Sequence, residues 1–245
     1  MLKGLNVFIT GGDRGIGKAI VLHFAKNGAN VYFSYNSNKE AAECTKNEAL
    51  TFGTTIDYYQ LNLKSAESIQ STSDKLLDDI KSLNILVNNA GYVDDVMFVK
   101  ADFNKWYDVF SVTFRGAVSL THKLLPNILM QEYGRIINIS SIAGLTGIIG
   151  QTNYCSAKAA LISFTKTLGR ELARLDITVN AIAPGYINTD MTGSYTKEEK
   201  KAMRGSVPMN RFGEAKEVAE AALFLASNMS SYITSQVIVV DGGML

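Results

Sequence analysis

Histidine is scarce in this chain, with two in 245 residues, and cysteine is equally so. Two cysteines, Cys44 and Cys155, make no disulfide framework, so both are expected as free thiols in a reducing compartment. Neither sign of charge dominates: 24 Lys and Arg stand against 23 Asp and Glu, a net charge of +1. That balance gives no footing for a nucleic acid or an anionic membrane as partner. No run approaches the ~20 apolar residues a membrane span needs. The N-terminal apolar stretch is broken at Thr10-Gly11, so no signal peptide is expected. Repeats, low-complexity segments and linkers are missing too. The expectation is one soluble, cytoplasmic domain over residues 1–245, with 47% hydrophobic residues to fill a large core.

What the chain does have is a regular rhythm. Strand-like apolar runs occur at Leu5–Thr10, Asn30–Ser34, Ile56–Leu61, Ile85–Asn88, Arg135–Ile139, Thr178–Ala183 and Val237–Val240. Helical patterns fill the intervals at about 38–52, 65–81, 103–131, 152–175 and 214–227. Strands alternating with helices imply parallel strands joined by right-handed crossovers. The predicted fold is α/β: a doubly wound, seven-stranded parallel sheet with helices on both faces.

The first strand runs directly into Gly11-Gly12-Asp13-Arg14-Gly15-Ile16-Gly17, and a helical pattern opens at Lys18. Strand, glycine turn and helix in that order make a dinucleotide-binding unit. The glycines permit a tight turn and let a pyrophosphate approach the positive end of the helix. By itself the spacing Gly-x-x-x-Gly-x-Gly is a weak signal, because glycine turns after strands are frequent.

A second constellation lies downstream. Tyr154 and Lys158 are four residues apart, and Ala159, Ala160, Leu161, Phe164 and Leu168 continue at helical spacing. Both side chains should therefore share one helix face, a turn apart. A phenol titrates near ~10, too high for ready proton exchange at neutral pH. A neighbouring ammonium favours the phenolate and lowers that value, at about 1.4 kcal/mol of differential interaction per unit. Such a Tyr can protonate a carbonyl oxygen during reduction, and histidine is not needed. Taken alone, the pair could equally be an accident of an amphipathic helix.

Together, Thr10-Gly-Gly-Asp-Arg-Gly-Ile-Gly17, Asn88-Asn89-Ala90-Gly91, Ser141, Tyr154-x-x-x-Lys158 and Pro184-Gly185 resemble the short-chain dehydrogenase/reductases, a Rossmann-type family. The resemblance extends from Leu2 to Val239-Val240-Asp241-Gly242-Gly243. Within the family it is nearest to 3-oxoacyl-acyl-carrier-protein reductases and stand-alone polyketide ketoreductases. It implies that Tyr154 is the proton donor and that Lys158 lowers the Tyr pKa while gripping the nicotinamide ribose. Ser141, thirteen residues before Tyr154, is implied to orient the substrate oxygen and is selected over Ser140 by that spacing.

The same resemblance implies a nicotinamide cofactor held by Gly11, Asp13, Arg14, Gly15, Ile16 and Gly17. Asn36 and Ser37 follow the second strand, Asn62 and Leu63 the third, and Asn89, Ala90 and Gly91 the fourth. Pro184, Gly185, Ile187 and Thr189 are implied at the nicotinamide end. The second strand ends without the carboxylate that usually reports NAD. Hydroxyl, amide and guanidinium groups there suit NADP(H), although Asn36, Ser37 and Asn38 are also ordinary turn residues. No metal is called for.

Two departures from the family stand out. Thr113 occupies the position of an Asn that in relatives holds a relay water beside the Lys. Glu132 and Leu175 fall where relatives that dock an acyl carrier protein often carry Arg, with Arg170 and Arg174 close to the second position. The expected reaction is NADPH-dependent reduction of a carbonyl, free or carrier-bound, with a 3-oxoacyl thioester favoured. An alcohol or sugar dehydrogenase and a weakly active partner subunit of a ketoreductase complex are the alternatives. Residues 189–211 break the strand–helix rhythm and contain the capping box Thr196-Lys-Glu-Glu199, as a substrate lid would. Apolar residues around the 103–131 and 152–175 helices (Val109, Phe110, Leu161, Ile162) suggest that these helices pair about a twofold axis. The resemblance, which adds the last strand with its Asp241–Leu245 tail, implies a homotetramer, with a heteromeric assembly as the variant.

Overall fold

In the computed structural model, which describes residues 1–193 and 195–245 and the backbone alone of Met191, the predicted rhythm becomes one sheet. Its strands are β1 (Asn6–Ile9), β2 (Asn30–Tyr35), β3 (Ile56–Gln60), β4 (Ile85–Asn88), β5 (Gly134–Ile139), β6 (Ile177–Pro184) and β9 (Val237–Val240). They lie in the order β3-β2-β1-β4-β5-β6-β9, and every pairing is parallel. Val7 of β1 registers with Val31 on one side and Ile85 on the other. The chain thus leaves β1 in one direction and returns on its opposite flank at β4. That reversal opens a crevice beyond the carboxyl ends of the strands, where such sheets bind ligands.

Crossovers cover both faces. α1 (Gly15–Lys26), α2 (Lys39–Leu50) and α10 (Ala215–Ala226) pack with Val7, Ile9, Val31 and Phe33, around Ile20, Phe24, Val218 and Leu225. The opposite core takes Phe8 and Leu86, with Leu76 of α3 (Ala66–Ile80), Leu120 and Leu124 of α5 (Ala117–Leu129) and Leu172 of α7 (Thr152–Leu172). Alternate residues of β1 therefore feed different cores, as the period-two geometry of a strand requires. Among the described residues, no helix is long and apolar enough to cross a membrane.

The helix expected at 103–131 runs from Phe103 to Leu129 but changes its winding on the way. α4 (Phe103–Phe110) gives way to a π-helical turn at Ser111–Gly116 before α5 begins. At Gly116 an added Cβ would lie 2.6 Å from the Leu63 Cβ, so the helix backbone is pressed against the loop after β3. One π turn absorbs an extra residue without ending the helix, and a 3.6-residue periodicity cannot register it.

The segment after β6 also gains an unexpected base. Two short strands, β7 (Ile187–Asn188) and β8 (Gly213–Glu214), pair in parallel, Ile187 with Gly213 and Asn188 with Glu214. Between them stand α8 (Asp190–Gly193) and α9 (Lys197–Gly205). The pair ties both ends of the excursion to one place. A short helix, α6 (Ala143–Thr146), completes the set.

Candidate active site

The glycine turn at the end of β1 is built by contacts that leave no space for side chains. A Cβ on Gly17 would fall 1.9 Å from the Gly11 carbonyl oxygen, and one on Gly12 would fall 2.6 Å from Phe33. Gly11 and Gly15 take φ of +65° and +54°, a region glycine enters without strain. The Asn89 amide donates to the Thr10 and Gly11 carbonyls at 2.9 and 3.1 Å. It is thus spent on holding the turn rather than reserved for an adenine. Arg14 precedes α1 without capping it, so the first amides of α1 stay open to an anion. A Cβ on Gly15 would meet only Thr189, at 3.6 Å. The groove there would accept a phosphate that a side chain would displace, and the residues present fit a dinucleotide.

From this turn a cleft of about 890 Å³ runs along the carboxyl edge of the sheet. Gly11, Asp13, Arg14, Gly15, Ile16 and Gly17 line one part, with Asn36, Ser37, Asn62 and Leu63 beside them. Asn89, Ala90 and Gly91 form its floor, and Pro184, Gly185, Ile187 and Thr189 border its far part with Ser141, Tyr154 and Lys158. Every sequence-predicted site residue except Thr113 opens on this one cleft.

Tyr154 and Lys158 occupy the first two turns of α7, and the Lys158 ammonium lies 5.5 Å from the Tyr154 ring centre. Ser141 follows β5 and opens on the cleft, its hydroxyl accepting from the Ala143 amide at 3.1 Å. Ser140 is buried and donates to the Lys158 carbonyl at 3.0 Å, a structural bond. Asn153, which sequence reasoning passed over, is buried as well. Its oxygen accepts from the Tyr154 amide at 2.7 Å and its amide donates to the Asp94 carbonyl at 3.0 Å. The unbroken helical pattern after it carried no sign of that tether.

The electrostatics correct the sequence reading. Burial pushes the Tyr154 phenol up to about 12, partly opposed by the Ser141 hydroxyl. Lys158 is not what sets the phenol: burial pulls the ammonium down to about 7. Its Nζ donates to the Ile139 carbonyl at 2.6 Å. Desolvation dominates where the spacing suggested charge–charge attraction. Burial therefore keeps the phenol protonated.

Thr113 stands behind this pair, in the π-helical turn. Its hydroxyl is buried and has no hydrogen-bond partner among the described residues. A Cβ on Gly91 would meet Thr113 Oγ1 at 3.3 Å and Lys158 Nζ at 3.6 Å, so both groups face the same small space. A buried hydroxyl without a partner costs about 1–3 kcal/mol, and a water shared with Lys158 would relieve it. Thr113→Asn should therefore keep or raise turnover, because an amide can hold the same water. A steep loss of kcat in a folded variant would show that the site is built around Thr. Glu132 and Leu175 are both exposed.

At the far end, Tyr92, Tyr186, Tyr195, Ile148 and Met203 line the cleft, and none was singled out from the sequence. Met203 comes from α9 and the others from loops, and only the fold brings them together. A bridge from Lys64 to Asp108, at 2.7 Å, links the loop after β3 to α4.

A sequence model of the family described as enoyl-(acyl carrier protein) reductase matches residues 11–245. The chain is similar to a 3-oxoacyl-[acyl-carrier-protein] reductase of Aquifex aeolicus, 40% identical over 243 residues, covering 99% of this chain and 98% of that one. A protein of the same description from Thermotoga maritima is 39% identical over 244 residues, covering 100% and 99%. Another from Staphylococcus aureus is 39% identical over 239 residues, covering 98% and 97%.

Proposed function

Because the chain belongs to the short-chain dehydrogenase/reductase family, whose members use a nicotinamide cofactor, we propose that it reduces the 3-oxo group of an acyl-carrier-protein-linked thioester to a 3-hydroxyl with NADPH. One observation carries the reading. Ser141, Tyr154 and Lys158 meet in the same cleft that begins at the glycine turn. Relatives matched along almost their whole length are described as 3-oxoacyl reductases. That agreement supports a ketone over the enoyl bond in the family description.

The nicotinamide, when bound, supplies hydride to the carbonyl carbon. The protein does the rest. Ser141 and Tyr154 direct two hydroxyls at the carbonyl oxygen and stabilise the charge that develops on it. Tyr154 gives its proton to that oxygen. Lys158 is placed to hold the ribose hydroxyls, and from there its ammonium would stabilise the phenolate left behind. Thr113, beside Lys158, would pass a proton inward from a water. The bonds balance: one hydride and one proton convert a carbonyl to an alcohol.

NADPH is favoured over NADH because β2 ends in Tyr35-Asn36-Ser37-Asn38, with no carboxylate, while the exposed Arg14 stands across the cleft mouth. A phosphate bonded there to a guanidinium makes a charge-assisted contact. With an acetoacetyl thioester as substrate, kcat/KM should favour NADPH by ~10-fold or more. Equal use of both cofactors would remove the NADP(H) assignment. A panel of acetoacetyl and longer 3-oxoacyl thioesters that gave no turnover would remove the substrate assignment. Faster oxidation of simple alcohols with NADP would favour the dehydrogenase alternative.

The segment 189–211 is assigned as a lid, although its Ser194 lies outside the described residues. Support comes from Thr189, Thr192, Tyr195 and Met203, which line the cleft, and from the β7–β8 pair at its base. Trypsin should cut the free enzyme first at Lys197, Lys200 or Lys201, and NADPH should protect those bonds. Identical digestion with and without NADPH would leave the lid unsupported.

A homotetramer is also proposed, on a revised basis. Leu161, Ile162, Thr165 and Leu168 are already buried within one chain, so they do not call for a partner. Uncovered apolar surface includes α4, where Phe103 is 66% and Tyr107 50% exposed and Phe103, Trp106 and Phe110 stack in series. It also includes the edge strand β9 and Leu245. A monomer mass by light scattering would exclude the assembly.

A further inference from the structure

α9 has no residue buried in the core. Its polarity could mean only that water surrounds it, but its charges are sorted. At 3.6 residues per turn, Lys197, Lys200, Lys201 and Arg204 fall within an arc of about 100° on one side. Glu198 and Glu199 fall on the other side, and Glu199 is occupied by the capping box. Its carboxylate accepts from the Thr196 amide at 2.8 Å, while Thr196 accepts from the Glu199 amide at 3.2 Å. A helix that was merely solvated would gain from alternating its charges at i, i+4. This one leaves its cations side by side.

Those cations are also free. Lys197, Lys201 and Arg204 are exposed, and no salt bridge engages them among the described residues. Lys200 reaches only the Gly193 carbonyl, at 3.4 Å. Arg211, the next cation along, is not part of the set because it forms a two-pronged bond with Glu217 at 2.6 and 2.7 Å. The chain as a whole carries a net charge of only +1, so the stripe is a local feature and not a generally basic surface. Met203, on the adjoining side of α9, lines the cleft. The stripe therefore runs along the cleft rim, about 10 Å long from Lys197 to Arg204 at 1.5 Å per residue.

We propose that this stripe on α9 is the docking surface for the carrier protein, which meets it through an acidic helix while its tethered 3-oxoacyl thioester enters past Met203. Carboxylates one turn apart on a partner helix match cations at positions i, i+4 and i+7. Complementarity of this kind raises the encounter rate and sets orientation. The proposal rests on the 3-oxoacyl reductase reading.

The test compares wild type with the triple variant Lys197→Glu/Lys201→Glu/Arg204→Glu and its milder Gln counterpart, which keeps helix-forming residues at all three sites. Each is assayed with acetoacetyl-acyl carrier protein from Staphylococcus aureus, acetoacetyl-coenzyme A and acetoacetyl-N-acetylcysteamine. For the Glu variant, KM toward the carrier-bound substrate should rise ~10-fold or more, with a smaller rise for the Gln variant. The wild-type kcat/KM on that substrate should fall with added salt. The N-acetylcysteamine substrate should be reduced at the wild-type rate by both variants. Unchanged KM for the carrier-bound substrate would overturn the proposal. So would a parallel loss on N-acetylcysteamine in both variants, which would mark a lid defect, or an equal loss on coenzyme A, which would mark recognition of its phosphates. If wild type reduces none of the three, the functional reading fails. Fluorescence anisotropy of labelled holo-acyl carrier protein then decides separately: binding by wild type but not by the Glu variant upholds the docking surface, and no binding by either removes it.

Discussion

Tyr154→Phe is expected to cut turnover by ~10²-fold or more while leaving NADPH affinity within a few-fold of wild type. The ring stays, so the packing of the first turn of α7 and the tether from Asn153 survive. What is lost is the phenol beside Ser141, whose proton is held tightly enough to be present throughout the neutral range. Burial pushes that phenol up to about 12, so it is neutral throughout the neutral range, the form that a donor needs. Ser141 cannot replace it, because an aliphatic hydroxyl is a much weaker acid than a phenol. Stopped-flow hydride transfer and equilibrium NADPH fluorescence separate the two expectations. Near-normal hydride transfer in the variant would sink the assignment of the donor.

Lys158→Met should abolish measurable reduction, weaken NADPH binding and yet stabilise the fold, a combination that a purely structural lysine would not give. Lys158 is buried, and desolvation pulls it down to about 7 from an ordinary 10.5. Its folded value lies below its unfolded value, so between those limits the unfolded chain binds more protons and stability rises with pH. The penalty of burying the ammonium is present in full below pH 7 and disappears as pH approaches 10.5. Methionine has a similar length and no charge, so the variant should melt above wild type at pH 6 and lose that advantage toward pH 10. In wild type, NADPH affinity should be greatest below pH 7 and weaken above it, since a neutral amine holds ribose hydroxyls less well than an ammonium. Thermal melts at pH 6 and 9, with NADPH titrations at the same values, measure both effects. A variant that melts below wild type at pH 6 would show that the bond to the Ile139 carbonyl outweighs the buried charge.

The sequence by itself determined the seven strands, their alternation with helices, the glycine turn and the spacing that picks out Ser141, Tyr154 and Lys158. Each of these is written in residues close together along the chain: apolar runs, a 3.6-residue period, glycines where a Cβ would strike a neighbour, a one-turn separation on α7. Tertiary structure alone decided the sign of the Tyr154 shift, because desolvation sums over β5, α6, α7 and the loops that close the cleft. It alone placed a π turn at Ser111–Gly116, since the pressure of Leu63 on Gly116 acts between positions about fifty residues apart. It alone gathered Tyr92, Tyr186 and Tyr195 at one end of the cleft and joined Ile187 to Gly213 at the base of the segment between them. It also covered Leu161 and Leu168 within the protomer while leaving Phe103 and Tyr107 of α4 exposed. Helical periodicity reports that a face is apolar but not which neighbour meets it. Burial and field at a site are sums over residues distant in sequence, and they acquire values only once the chain has closed around it.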